Sequence, residues 1–204
     1  HWLKDGAPYR LTDHLQIYYS NNNGYTSKLK IYPQTEIALE SGKYIYVGST
    51  DSDSWGALEA DSVTFSSVNE DETWSEIRMR SQSRDDMTYL DNCIIEYADN
   101  GVYCESSSPT LTNNIFRYNE NGVYLNNSQS QPHISSNNFI ENNGAILLQS
   151  PPSGGFTIGG SSNNGNSFAD NIEFAINNTD TNSDSVDATF NFWNSPFGPN
   201  TNEG

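Results

Sequence analysis

Across 204 residues this chain carries 26 acidic side chains against nine lysines and arginines, a net charge of −17, with no Lys or Arg beyond Arg117. A surface of that sign repels phosphate backbones and anionic bilayers, which proteins bind chiefly through cations of their own, so nucleic acid and membrane insertion are excluded as partners. The apolar fraction of 34%, rich in Asn, Ser, Gly and Thr, suits one domain of many short strands joined by turns, not helices with broad apolar stripes, and no apolar run is long enough to cross a bilayer.

The acidity fits a secreted or cell-surface β protein kept soluble by charge, and it also fits Ca²⁺, a hard cation that takes carboxylate and carbonyl oxygens. No signal peptide precedes "HWLKDGAPYR", so the chain reads as a mature protein or an excised module. Residues 1–26, including "DHLQIYYSNNNGYT", alternate like strands without a regular beat and are read as an N-terminal cap with the first strands. A stack needs such a cap because an open end leaves apolar core and unpaired strand edges in water.

Coils are expected over 27–187. The clearest signal is a phrase written twice, "DNGVYCESSSP" at 99–109 and "ENGVYLNNSQSQP" at 120–132. A unit that short buries its apolar face only by stacking on the next copy. Asn-Gly pairs recur at 100–101, 121–122, 143–144 and 164–165, and they are read as corners because both residues tolerate positive φ. The strands after them, "GVYC", "GVYL" and "GAIL", place Val102, Cys104, Val123, Leu125, Ala145 and Leu147 on one side and Tyr103, Tyr124 and Ile146 on the other. A second strand follows each proline, with Leu111 and Phe116 matched by Ile134 and Phe139. Copies in one orientation at a fixed period predict a coil that climbs about 4.8 Å per turn, a parallel β-helix. Asn114 and Asn137 are then expected to stack with their amides bonded along the axis. Glu96 and Arg117 fall at equivalent positions and are expected to pair. Cys93 and Cys104, half a repeat apart, are expected on different walls as buried free thiols rather than as a bridge.

In the last quarter "DTNSDSVD" alternates oxygen donors, and Asp180, Asn182, Asp184 and Asp187 are the candidate Ca²⁺ ligands. The stretch departs from an EF-hand loop, with Ser185 where the glycine belongs and Asn191 where the bidentate Glu belongs. A solvated loop is the competing reading. The closing segment 188–204 contains "NFWNSPFGPN", whose Trp193 and Phe197 are expected to plug the end of the stack.

Residues 88–200 resemble the right-handed parallel β-helix repeat proteins of the pectin-lyase-like superfamily, the class of carbohydrate-binding and sugar-hydrolase β-helix repeats. The resemblance rests on "NCIIEYADNGVYC", "SPTLTNNIFRYNENGVYL" and "ATFNFWNSPFGP". It extends more loosely to "LKIYPQTEIALESGKYIYV", "VTFSS" and "TWSEIRM". It implies an all-β, single-stranded right-handed β-helix of roughly 21–23-residue coils with a cap at each end. It says little about activity, because this fold hosts lyases, hydrolases, epimerases and non-catalytic surface modules.

Catalytic machinery is thin. A lyase on this fold needs cations to neutralise a uronate, and the repeats beyond Arg117 have none. A hydrolase needs two carboxylates about 5 to 9.5 Å apart, whereas Asp99, Glu120 and Glu141 fall at or near exposed corners. "QPHISS" keeps only Pro-His of the epimerase signature, so His133 reads as a corner residue. His1, with His14 and His133 as the only further imidazoles, raises a copper brace, but a chain boundary explains it more simply. Tyr103 and Tyr124 are the candidate glycan-binding residues, since stacked rings can hold the apolar side of a sugar; a purely structural aromatic pair is the alternative. The leading expectation is a non-catalytic extracellular recognition or spacer module, binding glycan or a neighbouring protein and requiring no cofactor. A polysaccharide-active enzyme and a self-assembling fibre subunit are the alternatives.

Overall fold

The structure is a computed structural model that describes residues 2–3, 8–19, 25–51, 53–127, 129–150, 155–179 and 185–194. Apart from one 3-10 turn, Asp85–Met87, its regular elements are β-strands, and every strand pairing is parallel. One coil shows the plan. Tyr89–Asp91 lies on a first wall, A; Ile94–Glu96 on a second, B; Ala98–Cys104 on a third, C. The next coil repeats it with Thr110–Thr112, Ile115–Arg117 and Asn121–Leu125, each hydrogen-bonded to its equivalent in the coil before. Walls B and C each run to seven strands and wall A to five, with a separate two-stranded pair, Phe156–Thr157 and Val186–Asp187.

The compact step is confined to the middle of the stack. Leu90 pairs with Leu111, 21 residues on, and Leu111 with Ile134, 23 on. Toward the ends the step widens, as from Ile37 to Phe65 and from Phe139 to Phe168, because loops are inserted between walls without disturbing the register.

Inward side chains form ladders. On wall B, Ile37, Phe65, Ile95, Phe116, Phe139 and Phe168 follow one another in register. The rings of Phe116 and Phe139 stack at 4.9 Å, Phe139 and Phe168 at 5.1 Å, and Trp193 closes on Phe168 at 4.9 Å. Trp193 therefore covers the end of this ladder, while Phe197 lies outside the described residues. Cys93 and Cys104 are both free and buried, as expected.

Two corners per coil are built by asparagine. Asn114, Asn137, Asn166 and Asn191 form one column between walls A and B, and Asn119, Asn142 and Asn171 form another between walls B and C. Each amide also donates back to a main-chain carbonyl, as Asn137 Nδ2 does to Leu111 at 2.8 Å. The buried turn thus keeps its polar groups satisfied. The Asn114–Asn137 contact expected from the repeat is the central link.

The Asn-Gly pairs at 100–101 and 121–122 are not the corners. They lie inside strands, and Gly101 and Gly122 do not have positive φ. Their glycines are required by packing: a Cβ on Gly122 would lie 2.7 Å from the Ala145 carbonyl oxygen and 2.9 Å from the Phe139 ring. The left-handed positions precede the ladder residues instead, at Asn92, Asn113 and Ser136 on one corner and Tyr97, Tyr118, Glu141 and Asp170 on the other. The expected register also slips in the third copy. Ile146, not Leu147, pairs with Val123 and is buried, while Leu147 pairs with Tyr124 and faces out. Keeping Ile146 and Leu148 in the core outweighs keeping Asn143-Gly144 aligned with Asn121-Gly122.

Candidate functional site

On the outer face of wall C one column of side chains runs along the axis. Tyr46, Arg78, Tyr103, Tyr124, Leu147 and Asn177 occupy consecutive registered positions, alternating along each strand with the inward ladder of Val47, Met79, Cys104, Leu125 and Leu148. The period of two places them outside, and the parallel register places them over one another.

The column is a stack. The Arg78 guanidinium lies 4.2 Å over the Tyr103 ring and 5.4 Å from that of Tyr46, and Arg80 sits 3.8 Å over Tyr46. Tyr103 and Tyr124 stack at 4.7 Å with 18° between their planes. Tyr44 continues the row against Tyr46 at 3.7 Å, and His14 against Tyr44 at 3.6 Å. Hydroxyls are tied as well: Asn126 Nδ2 donates to Tyr103, and Tyr124 donates to Gln149.

Tyr103 is only 6% exposed, which qualifies the expectation of a flat shelf. Rings stacked along the axis turn their faces toward one another and present edges and hydroxyls to solvent. Tyr103 is closed on one face by Arg78 and on the other by Tyr124. Burial pushes the phenols of Tyr46, Tyr103 and Tyr124 above their ordinary value.

Two carboxylates flank the guanidiniums. Glu76 Oε1 lies 2.5 Å from Arg78 Nη2, and Glu105 Oε2 lies 3.9 Å from Arg78 Nη1 and 3.8 Å from Arg80 Nε. Asn100 Nδ2 donates to Glu76 Oε2 at 3.1 Å, and Asn121 Nδ2 donates to Asn100 Oδ1 at 3.1 Å, giving a second polar column beside the first. Burial pushes the Glu76 carboxyl above the usual range, against the pull of Arg78 and the Asn100 amide. On wall A, Asp61 and Asp91 also face each other on adjacent coils. Asp91 is held by Thr112, Asn113 and Asn92, and Asp61 by Ser62.

Of the residues predicted from the sequence, the structure brings Tyr103 and Tyr124 together. Glu96 and Arg117 pair at 2.7 Å. Asp187 accepts the backbone N–H of Thr189 at 2.9 Å, which holds its carboxyl below the usual range. Asp180, Asn182 and Asp184 lie outside the described residues, as does His1. His133 begins a wall A strand and bonds Ser135 through Nε2 at 2.9 Å. Sequence reasoning missed Tyr46, Arg78 and Arg80, because they come from coils of irregular length whose register shows only in three dimensions.

The fold and this registered exterior define a right-handed parallel β-helix with a patterned outer wall. A family model described as "Periplasmic copper-binding protein (NosD)" matches residues 8–204, and the chain belongs to that family. The family is periplasmic, which places the chain in the cell envelope, outside the cytoplasm. No helix among the described residues is long and apolar enough to cross a membrane. No curated protein and no solved structure matches it.

Among the described residues no three His, Cys, Asp or Glu side chains come together to hold a metal. Thiolate is the metal-binding form of cysteine, yet burial pushes the Cys93 thiol up to about 12 and raises that of Cys104 as well. Cys93 Sγ is committed to the Asp91 carbonyl at 3.3 Å. His14 is stacked on Tyr44 and His133 is bonded to Ser135. These residues do not fit a copper site.

Proposed function

We propose that the chain is a non-catalytic recognition module of the cell envelope that binds glycan along the outer face of wall C. The carrying observation is the column Tyr46–Arg78–Tyr103–Tyr124, with one registered side chain per coil. Its edges, hydroxyls and neighbouring amides form a periodic, rigid, partly aromatic surface of the kind that suits a repeating polyhydroxylated ligand. Aromatic and arginine side chains are also the residue types that dominate binding energy at recognition surfaces.

The recognition reading is favoured over polysaccharide cleavage by the state of the carboxylates. General acid catalysis needs a carboxyl that reaches the substrate and exchanges its proton. The Glu76 side chain is 4% exposed and has its two oxygens on Arg78 and Asn100. The test is a glycan-array screen with and without millimolar Ca²⁺, followed by incubation of each hit with the protein and assay for new reducing ends and unsaturated uronates. Binding without product is expected; product formation would overturn the reading in favour of an enzyme.

Copper binding, named in the family's description, is the second reading. It lacks a donor set among the described residues, and it predicts a copper-induced rise in melting temperature that is lost when His14 and His133 are replaced. The recognition reading predicts no such rise.

A further inference from the structure

We infer that the glycan recognised by wall C is neutral and linear, lying along the helix axis; this rests on the recognition reading above and names its ligand class. The first observation is that, among the described residues, every cation that could meet an acidic sugar already has a carboxylate beside it. Every described lysine and arginine lies within 4.0 Å of a carboxylate: Arg10 with Glu40, Lys28 and Lys30 with Glu59, Lys43 with Asp13, Arg84 with Asp86, Arg117 with Glu96. At the site itself Arg78 is matched by Glu76, and Glu105 lies between Arg78 and Arg80. Two guanidiniums and two carboxylates leave the cluster with no formal charge to spare.

A uronate or sulfated sugar would bring its charge up against Glu105, whose Oε2 sits 3.8–3.9 Å from both guanidiniums and offsets their charge without hydrogen-bonding them. It would do so on a chain of net charge −17, where the long-range field also slows the approach of anions. Hydroxyl groups meet no such obstacle. They can donate to the outer lone pairs of Glu105 and of the Tyr124 hydroxyl, whose own proton goes to Gln149, and accept from the second amide N–H of Asn121, without separating an ion pair.

The second observation is geometric. Successive column residues belong to strands about 4.8 Å apart, so Tyr46 to Tyr124 spans about 14 Å. A pyranose ring in an extended glycan advances by nearly the same distance, so a chain parallel to the axis meets one registered side chain at each sugar. Above Tyr124 the column continues with uncharged Leu147 and Asn177, which extends the neutral track.

Isothermal titration of the 204-residue chain with cellohexaose, maltohexaose and chitohexaose, and with hexagalacturonate and hexamannuronate, tests this at about 20 mM and 0.3 M salt. At least one neutral hexamer is expected to bind with a Kd that changes less than about twofold with salt, and at least tenfold tighter than either uronate. Tyr124→Ala should abolish that binding with the melting transition retained. Glu105→Gln, which frees the guanidiniums, should raise uronate affinity severalfold at low salt. Uronate binding as tight as neutral binding, and lost in Tyr124→Ala, would overturn the neutral class while leaving wall C as a recognition surface. Binding of none of the five, or binding insensitive to Tyr124→Ala, would overturn the recognition reading and this inference with it.

Discussion

The Oδ1 of Asn137 accepts both the backbone N–H of Asn114, at 2.9 Å, and its side-chain amide, at 3.0 Å, across one full coil. One acceptor therefore satisfies two buried donors, and the same arrangement recurs between Asn137 and Asn166 and between Asn119 and Asn142. The corner is held by polar groups in register, inside a region where water does not reach.

Replacing Asn137 by leucine leaves the buried Asn114 N–H and side-chain amide without their shared acceptor and removes the amide bond to the Leu111 carbonyl. An unsatisfied buried group costs about 1–3 kcal/mol, so Asn137→Leu should lose about 2–4 kcal/mol in urea unfolding. A loss below about 0.5 kcal/mol would show that the ladder is decoration.

The tyrosines at the other corner are strained. Tyr97 and Tyr118 have φ of 58° and 56°, in a region that costs an L-residue about 1–2 kcal/mol and that asparagine tolerates. Their rings stack at 5.4 Å, which offsets part of that cost. Both Tyr118→Asn and Tyr118→Ala lose the stack, but only the alanine keeps the strain. The asparagine variant should be the more stable by about 1 kcal/mol in thermal melts, and equal stabilities would contradict the assigned corner.

Gly122 is required by the Ala145 carbonyl and the Phe139 ring packed against it and not by a left-handed backbone conformation. Gly122→Ala should cost about 1–3 kcal/mol through overpacking. In a Phe139→Leu background the ring is gone and the added cost should shrink. A double-mutant cycle with zero coupling would assign the whole cost to the clash with the Ala145 carbonyl instead.

The thiols give a pH dependence of definite sign. In the fold the Cys93 pKa is pushed up to about 12, and that of Cys104 is also raised, against about 8.5 in an unfolded chain. The folded state therefore holds protons that the unfolded state releases, so their contribution is fully present below pH about 8.5 and is lost as pH rises toward 12. Stability should fall with pH above about 8.5, less steeply in Cys93→Ala. At pH 8 an aromatic disulfide reagent should label neither thiol in the native protein and both after denaturation.

Period and composition determined that this is a parallel β-helix. A 21-residue echo of "GVYC" by "GVYL" admits few packings other than stacked coils, and the alternation within each strand already separates Val102, Cys104, Val123 and Leu125 from Tyr103 and Tyr124. The ladder of Asn114 on Asn137 and the pairing of Glu96 with Arg117 were legible for the same reason: residues one period apart are neighbours in space. Residues separated by irregular steps were not legible. Tyr46, Arg78 and Tyr103 come from coils with loops of different length, so only the register of the folded walls brings the guanidinium between the two rings. The corners were hidden because tyrosine carries no turn signal, and the left-handed conformation of Tyr97 and Tyr118 is imposed by the coils around them. Local preference chose the strands; the shared register of the stacked coils, fixed by the buried ladders, decided which outward side chains meet.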